Sequence, residues 1–298
     1  MTDPLVSSAP PKRLPRYRRV ENYPKVVIGR PKHNLLMAIA RFDYLTAEQL
    51  TRLVFGTQVL RYVREHLKEL YQSGYVERLY LHPHLPYGSS LAVYCLAKNG
   101  QAYVRKQGNA ANRIEAPEPY FLRHTIEAND LLIQCHLLER QDSRTQLVNF
   151  ATERELKRSP GYTRINGKRV SVIPDGWVHL RRAWRGEGEP NNHYICWELD
   201  RGTVEQRSFR RKIKHLISWI DSGYTERFGV EGINLAFVTT VSQNRVTEMI
   251  TWTEQELGDS SYGEFFLFSY YQPERLFFDS IWQQPFSDDY TSLLVPPQ

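Results

Sequence analysis

Two short apolar stretches that end in carboxylates decide the fold of the longer part of the chain: Val172-Ile173-Pro174-Asp175-Gly176 and Ile195-Cys196-Trp197-Glu198-Leu199-Asp200. Each has the length and composition of a buried strand. Because proline cannot donate to a strand ladder, Pro174 predicts a kink or a splayed edge beside Asp175. Glu198 and Asp200 are two residues apart and therefore face the same side of their strand. If the strands are neighbours, all three carboxylates lie at one end of a sheet.

The sequence around these stretches alternates between helix and strand patterns. Helices are predicted over residues 121–140, 204–222 and 245–257, with Thr203 as the N-cap of the second. Strands are predicted over residues 147–153, 169–180, 194–199, 233–240 and 265–270. This order predicts an α/β (α+β) domain with a mixed sheet over residues 121–298.

Carboxylates gathered at one sheet edge repel one another unless a metal ion or a basic side chain lies among them. Their oxygens are the hard ligands that Mg²⁺ or Mn²⁺ prefers, so Asp175, Glu198 and Asp200 are predicted metal ligands. Glu153 is predicted to close the strand before them. The alternative is that the carboxylates are structural and are held by basic side chains, namely Arg154, Arg201 or Lys212.

The first third of the chain has a different pattern. Helices are predicted from Asn34 to Phe42, from Thr46 to near Gly56, and from Thr57 to near Gly74; Thr46 and Gln49 have the spacing of a capping box. Two strand-like runs, 75–81 and 91–96, flank a polar segment at 82–90, and a helix follows over 98–106. Three helices, a ribbon and a further helix predict a winged helix-turn-helix over residues 33–106.

In such a fold the third helix enters the major groove of DNA. Gln58, Arg61 and Tyr62 are therefore predicted to contact bases or backbone, and Arg64 and Lys68 to contact phosphates. The alternative is a winged helix used only for protein pairing, which the acidic Glu65 and Glu69 on the outer face would suit.

The charge distribution also favours an anionic partner for this third. The chain carries 39 Lys and Arg against 33 Asp and Glu; residues 1–32 have a net charge of +6, residues 33–106 of +4, and residues 107–298 of −4. Residues 1–32 are predicted to be a basic flexible arm, or a solubilising tail, and residues 107–120 a linker. No apolar run is long enough for a membrane span, and three scattered cysteines predict a reduced, cytoplasmic protein.

Two further basic segments lie in the second part of the chain. Arg207, Arg210, Arg211 and Lys214 form a patch on one predicted helix, which either holds a phosphate backbone or is a solvated face. Residues 154–169 are predicted to be a basic loop and a second DNA contact.

The second part resembles the PD-(D/E)xK nuclease core, in which a Pro-Asp strand is followed by a strand bearing Glu-x-Lys. Pro174-Asp175 matches the first element and Glu198 the acid of the second, while Asp200 stands where the lysine is usual. The resemblance implies catalytic roles for Asp175, Glu198 and Asp200. Lys212, at the edge of the apolar face of the next helix, is the best substitute for the lysine, and Lys214 is the second choice.

The chain as a whole, over about residues 34–240, resembles the replication-relaxation family of plasmids and mobile elements. The resemblance rests on the winged-helix pattern, on His124-Thr-Ile-Glu-Ala-Asn-Asp130, and most sharply on the ELDRGT run at 198–203. It implies a DNA-binding protein in replication, maintenance or regulation of such elements. Its implied partners are double-stranded DNA and either a second copy of the chain or a replication or mobilisation protein.

Two hypotheses follow. In the first, the protein binds DNA and its nuclease-like domain is degenerate. In the second, it is a Mg²⁺- or Mn²⁺-dependent DNA endonuclease that its winged helix directs to its target.

Overall fold

The computed structural model describes residues 18–21, 23–56, 59–81, 90–110, 118–183 and 190–294. Contacts divide the chain into two compact units. Within the described residues, the first unit comprises residues 18–80 and 90–110, and the second comprises residues 118–294. Each unit is described by itself.

The first unit is a set of helices around a small sheet. Its elements are α1 (Arg30–Phe42), β1 (Leu45–Thr46), α2 (Ala47–Leu50), α3 (Leu60–Gln72), β2 (Val76–Leu81), β3 (Leu91–Leu96) and α4 (Lys98–Lys106), and a π-helical turn (Thr51–Phe55) continues α2. The strand order is β1–β3–β2, with β1 antiparallel to β3. The predicted helices and strands of this region are thereby confirmed, except that the described part of the third helix begins at Leu60.

Local hydrogen bonds explain where α2 begins. The Thr46 hydroxyl accepts from the Gln49 backbone N–H at 3.1 Å, and the Gln49 side chain accepts from the Thr46 N–H at 3.0 Å. This reciprocal pair is the predicted capping box, and it satisfies two donors that a helix start would otherwise leave unpaired.

The residues predicted to form a flexible arm are partly ordered. Residues 30–32 form the first turn of α1, in which Pro31 suits a helix start because its missing N–H has no partner there anyway. Arg19 donates to the carbonyls of Tyr71 and Val76 and forms an ion pair with Glu77 at 2.7 Å. Residues 19 and 30–32 therefore contact the first unit, while residues 1–17 lie outside the described part of the chain.

The second unit is built on a seven-stranded mixed sheet. Its elements are α5 (Pro119–Gln141), β4 (Thr145–Thr152), α6 (Glu153–Arg158), β5 (Gly161–Ile165), β6 (Lys168–Val172), β7 (Gly176–Arg182), β8 (Asn191–Asp200), α7 (Gln206–Ser218), α8 (Tyr224–Phe228), β9 (Asn234–Thr239), α9 (Gln243–Leu257), β10 (Phe266–Tyr270), β11 (Trp282–Gln283) and β12 (Tyr290–Thr291). A π-helical turn (Trp219–Gly223) joins α7 to α8. The strand order is β12–β11–β10–β9–β8–β7–β4, and β5 and β6 form a separate hairpin.

Strands β8, β9 and β10 run parallel, and each remaining strand is antiparallel to its neighbours: β7 to β8, β4 to β7, β11 to β10 and β12 to β11. This mixed sheet and its helices confirm the predicted α+β class. Helices cover both faces of the sheet. The side chains of β8 show this, since successive residues of a strand point to opposite faces. Cys196 packs in the core with Phe209 of α7, while the next residue, Trp197, contacts Cys135 of α5.

Four predictions for this unit are wrong in detail. Glu153 does not close a strand: it begins α6, because Thr152 and Glu155 form a capping box there. Residues 169–180 are not one strand, because the chain leaves the β5–β6 hairpin at Val172 and joins the sheet at Gly176. Residues 154–169 are not a loop but contain α6 and most of that hairpin. The helix after β8 begins at Gln206 with Glu205 as its N-cap, so Thr203 is not the cap.

None of the helices among the described residues combines the length and the apolar character that a membrane crossing requires.

Candidate functional site

Asp175 is fixed between the start of β7 and the end of β8. Its backbone N–H donates to the Trp197 carbonyl at 3.0 Å, and its Oδ2 accepts from the Leu199 N–H at 2.7 Å. His124 of α5 places Nε2 3.5 Å from the same oxygen. The break after Pro174 thus allows a buried carboxylate to cap the neighbouring strand instead of continuing its own ladder.

Glu198 lies on β8 and is 1% exposed. Lys212 of α7 donates to its Oε2, and the lysine side chain remains 42% exposed at the outer end of the pair. The other carboxylate oxygen, Oε1, is buried and has no hydrogen-bond partner among the described residues. A buried acceptor without a donor costs free energy of folding. A ligand that binds this oxygen would remove that cost, so the oxygen is the strongest indication of a binding site here.

The four groups shift one another's pKa values. Burial raises the pKa of Glu198 to about 8, although the Lys212 charge opposes the rise. Burial alone would lower the pKa of Lys212, but the charges of Glu198 and Asp175 outweigh it and raise that pKa. Burial thus disfavours the charged forms of both Glu198 and Lys212, and the charge of each partner opposes this effect at the other.

In the second pair, Asp175 and His124, the charged partners outweigh burial at both groups. Burial would raise the pKa of Asp175, but His124 and the Lys212 charge outweigh it and lower that pKa. Burial would lower the pKa of His124, but Asp175 outweighs it and, with a further contribution from Glu153, raises it. Glu153 itself lies 2.5 Å from Lys157 on α6.

Asp200, the third predicted metal ligand, is bound by Arg245 and by neighbouring hydrogen-bond donors. Arg245 of α9 donates to its Oδ1 and Oδ2 at 2.9 Å each, and Gly202 N–H and the Thr239 hydroxyl donate to Oδ2 at 3.0 Å each. Among the described residues, no group of three or more His, Cys, Asp and Glu side chains is placed to hold a metal ion. The structure thus joins Asp175, Glu198 and Lys212, adds His124, and leaves Asp200 in a structural network.

The ELDRGT run is explained by the contacts of its members. Arg201 forms an ion pair with Glu127 at 2.9 Å, and Thr203 lies 2.6 Å from the Tyr120 hydroxyl. Gly202 has a φ of +73°. A Cβ at this glycine would lie 2.9 Å from Cγ2 of Val241, so both the conformation and the space require glycine.

These contacts also connect the two sequence segments of the resemblance. His124 and Glu127 of α5 bind Asp175 and Arg201 respectively. Sequence reasoning named the His124–Asp130 segment but gave it no place in the site. His124 and Glu127 are three residues apart, so their side chains lie on one face of α5. This spacing was the feature of the sequence that could have placed the segment in the site.

Lys214, the second choice for the catalytic lysine, belongs to another surface. It lies 3.2 Å from Glu256 of α9 and is 65% exposed. Lys212 is therefore the lysine that reaches the carboxylates.

The predicted DNA contacts of the first unit lie along α3. Arg61 and Tyr62 are exposed, Arg64 is 2.7 Å from Glu48 of α2, and Lys68 is 3.4 Å from Glu65. Gln58 and residues 82–89 lie outside the part of the chain that the structure describes.

A family model described as Replication-relaxation matches residues 36–230. The match begins in α1, includes α3, and contains both the His124–Asp130 segment and the ELDRGT run. Searches of curated proteins and of solved structures find no match.

Proposed function

The chain belongs to the replication-relaxation family, and on that premise we propose that it is a DNA-binding protein of plasmid or mobile-element replication, maintenance or regulation. Its first domain, over about residues 33–106, is a winged helix that binds duplex DNA. Its second, over about residues 121–298, is a degenerate nuclease-like domain that serves a second copy of the chain or a replication or mobilisation partner. Three buried free cysteines support a reducing, cytoplasmic location.

The exposed face of α3 is the observation that carries the proposal. The helix buries Val63, Leu67 and Leu70 in the unit and presents Arg61, Tyr62, Arg64 and Lys68 to solvent. Arg61 makes no hydrogen bond or ion pair with any described residue, so its five donors remain available for a ligand. An aromatic ring beside basic side chains on one helix is typical of a nucleic-acid contact.

The state of Asp200 supports a degenerate second domain. Its carboxylate is 4% exposed and accepts four hydrogen bonds, two of them from Arg245. A metal ligand in that position would have to give up a buried ion pair, which is strongly unfavourable.

DNA binding by the full chain tests the proposal. Binding to duplex DNA should weaken steeply with salt, because each phosphate contact releases counterions. Arg61→Ala should weaken binding by about 1–3 kcal/mol and relax the preference at one base pair if the side chain contacts a base. Lys106→Ala removes another exposed charge, at the end of α4, and is the matched control.

Absence of a shift at low salt would contradict DNA binding. Equal losses in the two variants would contradict the assignment to α3 and leave only general attraction by charge.

The unpartnered Oε1 of Glu198 favours a second candidate, a Mg²⁺- or Mn²⁺-dependent endonuclease. The donor set fits a divalent cation only in part, because Glu198 Oε1 is unpartnered, whereas Asp175 Oδ2 accepts from Leu199 and Asp200 is held by Arg245. Such a cation would supply a Lewis acid for phosphodiester hydrolysis. Lys212 would orient or stabilise charge beside it.

Two assays separate this candidate from the first. Mn²⁺ should raise the melting temperature of the native protein and not of Asp175→Asn, and plasmid DNA should be nicked by the native protein and not by Glu198→Gln. Asp279→Asn, which alters an exposed carboxylate, is the control for both. A thermal shift without nicking would contradict endonuclease activity and support a cation site that has no catalytic role.

A further inference from the structure

A basic groove lies between α7 and α9 in the second unit. It encloses about 400 Å³ and is lined by Gln206, Arg207, Arg210, Arg211, Lys214 and Glu256. Four cations and one carboxylate thus face one concave surface. Such a concentration of like charge is unfavourable unless an anion shares it.

Glu256 fixes half of these cations in place. Its side chain is 6% exposed and accepts from Arg210 Nε at 2.6 Å, while Lys214 Nζ lies 3.2 Å from its other oxygen. Charge-assisted contacts of this length restrict both basic side chains, so they are positioned before any ligand arrives.

The other two cations are available to a ligand. Arg207 and Arg211 are exposed and make no hydrogen bond or ion pair with any described residue. Their guanidinium groups lose little hydration when they bind an anion and match the oxygens of a phosphate in pairs.

The groove is separate from the carboxylate site on the same helix. The buried face of α7 consists of Phe209, Ile213 and Leu216. Lys212 lies at one edge of that face, from which its side chain reaches Glu198. At 100° per residue, Arg207, Arg210, Arg211 and Lys214 lie on the opposite flank, toward α9.

We propose that this groove binds the phosphate backbone of duplex DNA as a second contact surface of the protein. The seven helical steps from Arg207 to Lys214 rise about 10 Å, which is about three base-pair steps of DNA. A row of arginines with this reach suits successive phosphates better than one isolated anion. The inference shares with the proposed function only the premise that the partner is DNA; it depends on neither α3 nor the carboxylate site.

The salt dependence of duplex binding by the full chain tests it. The double variant Arg207→Ala/Arg211→Ala should reduce the slope of log K against log salt by about 1.8, since each lost phosphate contact is worth about 0.9. Arg181→Ala/Arg275→Ala removes two exposed charges from other surfaces of the same unit and should leave the slope unchanged. Arg207→Lys/Arg211→Lys keeps the charges and should restore most of the slope.

A parallel variant of α3, Arg61→Ala/Lys68→Ala, distinguishes the two DNA surfaces. If it lowers the slope while the groove variant does not, the inference is overturned and the proposed function stands. If only the groove variant lowers the slope, the inference stands and the assignment to α3 falls. If neither does, both are overturned.

Polyglutamate of matched charge tests for an acidic protein as the occupant. If Arg207 and Arg211 govern polyglutamate binding and not duplex binding, the groove takes an acidic polypeptide, and the inference is overturned.

Discussion

Arg245 of α9 grips the carboxylate of Asp200 at the end of β8 with two parallel hydrogen bonds, from Nε to Oδ2 and from Nη2 to Oδ1, each 2.9 Å long. The Arg245 side chain is 9% exposed and the Asp200 side chain 4%. Arg245 Nη2 also donates to the Val204 carbonyl at 2.8 Å. The ion pair therefore fixes the turn between β8 and α7, and with it the position of α7 relative to Glu198.

Removing one partner of this pair should be strongly destabilising. Arg245→Met and Asp200→Asn should each lower the free energy of unfolding by about 3–5 kcal/mol, because each leaves a buried polar group without its partner. All six tryptophans lie beyond residue 176, so their fluorescence in urea follows the second unit. Arg275→Met breaks an exposed pair with Asp279 and should cost less than about 1 kcal/mol.

The double variant Arg245→Met/Asp200→Asn provides the check. It should lose clearly less than the sum of the two single variants, because the pair shares one interaction. Simple additivity would mean that the two side chains stabilise the fold independently.

Gly202→Ala should destabilise the second unit more than Gly229→Ala. Both glycines have a φ near +70°, where a Cβ costs about 1–2 kcal/mol. A Cβ at Gly229 meets nothing within 4 Å, whereas one at Gly202 lies 2.9 Å from Val241. Val241→Ala should recover part of the loss at Gly202 and none at Gly229; equal unfolding midpoints in urea for the two alanine variants would contradict this explanation.

Sequence patterns predicted helices and strands well where the deciding signal, apolar periodicity or a helix cap, lies within a few residues of the chain. The capping box at Thr46 and the placing of Lys212 at the edge of the apolar face of α7 depend on neighbours within four residues, and the structure shows both. Strand β5 was predicted as part of a loop, because Arg164 and the neighbouring basic residues Lys168 and Arg169 obscure the alternation of the hairpin.

The rest of the site depends on contacts between distant residues. Arg245 is 45 residues from Asp200, and nothing in the local sequence shows that this carboxylate has a partner instead of a metal ion. Three strands and a helix lie between His124 and Asp175 in the chain. Two adjacent carboxylates on one strand face therefore looked equivalent in sequence, while packing gave one a lysine and the other an arginine.

The His124–Asp175 pair should make stability depend on pH. Because the pKa of folded His124 is raised, its contribution is complete below the ordinary pKa near 6.5 and is lost as pH rises through the raised value. Asp175 has a lowered pKa, so it stays ionised above about pH 4 and its own titration adds nothing to the pH dependence between pH 5 and 9. The melting-temperature gap between the native protein and His124→Gln should therefore be largest near pH 5.5 and narrow toward pH 9.

An Asp175→Asn background tests the cause of that gap. Without the carboxylate, burial no longer has the Asp175 charge to oppose it and acts to lower the pKa of His124, so the gap should lose its maximum near pH 5.5. A gap that still narrows there as pH rises would assign the effect to Glu153, the other carboxylate that raises the pKa of His124.

Lys212→Met should destabilise the second unit more than Glu198→Gln, although the two substitutions break the same ion pair. Lys212→Met leaves the 1% exposed Glu198 carboxylate without a cation, which should cost about 3 kcal/mol, at the lower end for a buried pair because water reaches the lysine end. Glu198→Gln removes the buried charge and lets the 42% exposed lysine turn to solvent, so it should cost about 1 kcal/mol. The pKa of Glu198 in the native protein is raised from 4.5 to about 8, so its titration lowers stability as pH rises from about 4.5 to about 8 and has no further effect above that. Loss of Lys212 raises that pKa further, so the deficit of Lys212→Met should widen as pH increases past about 8, while that of Glu198→Gln should not. Urea unfolding at pH 6, 8 and 9.5 measures both deficits, and equal losses that do not change with pH would show that the pair is a solvent-screened surface contact and not the charged centre of the site.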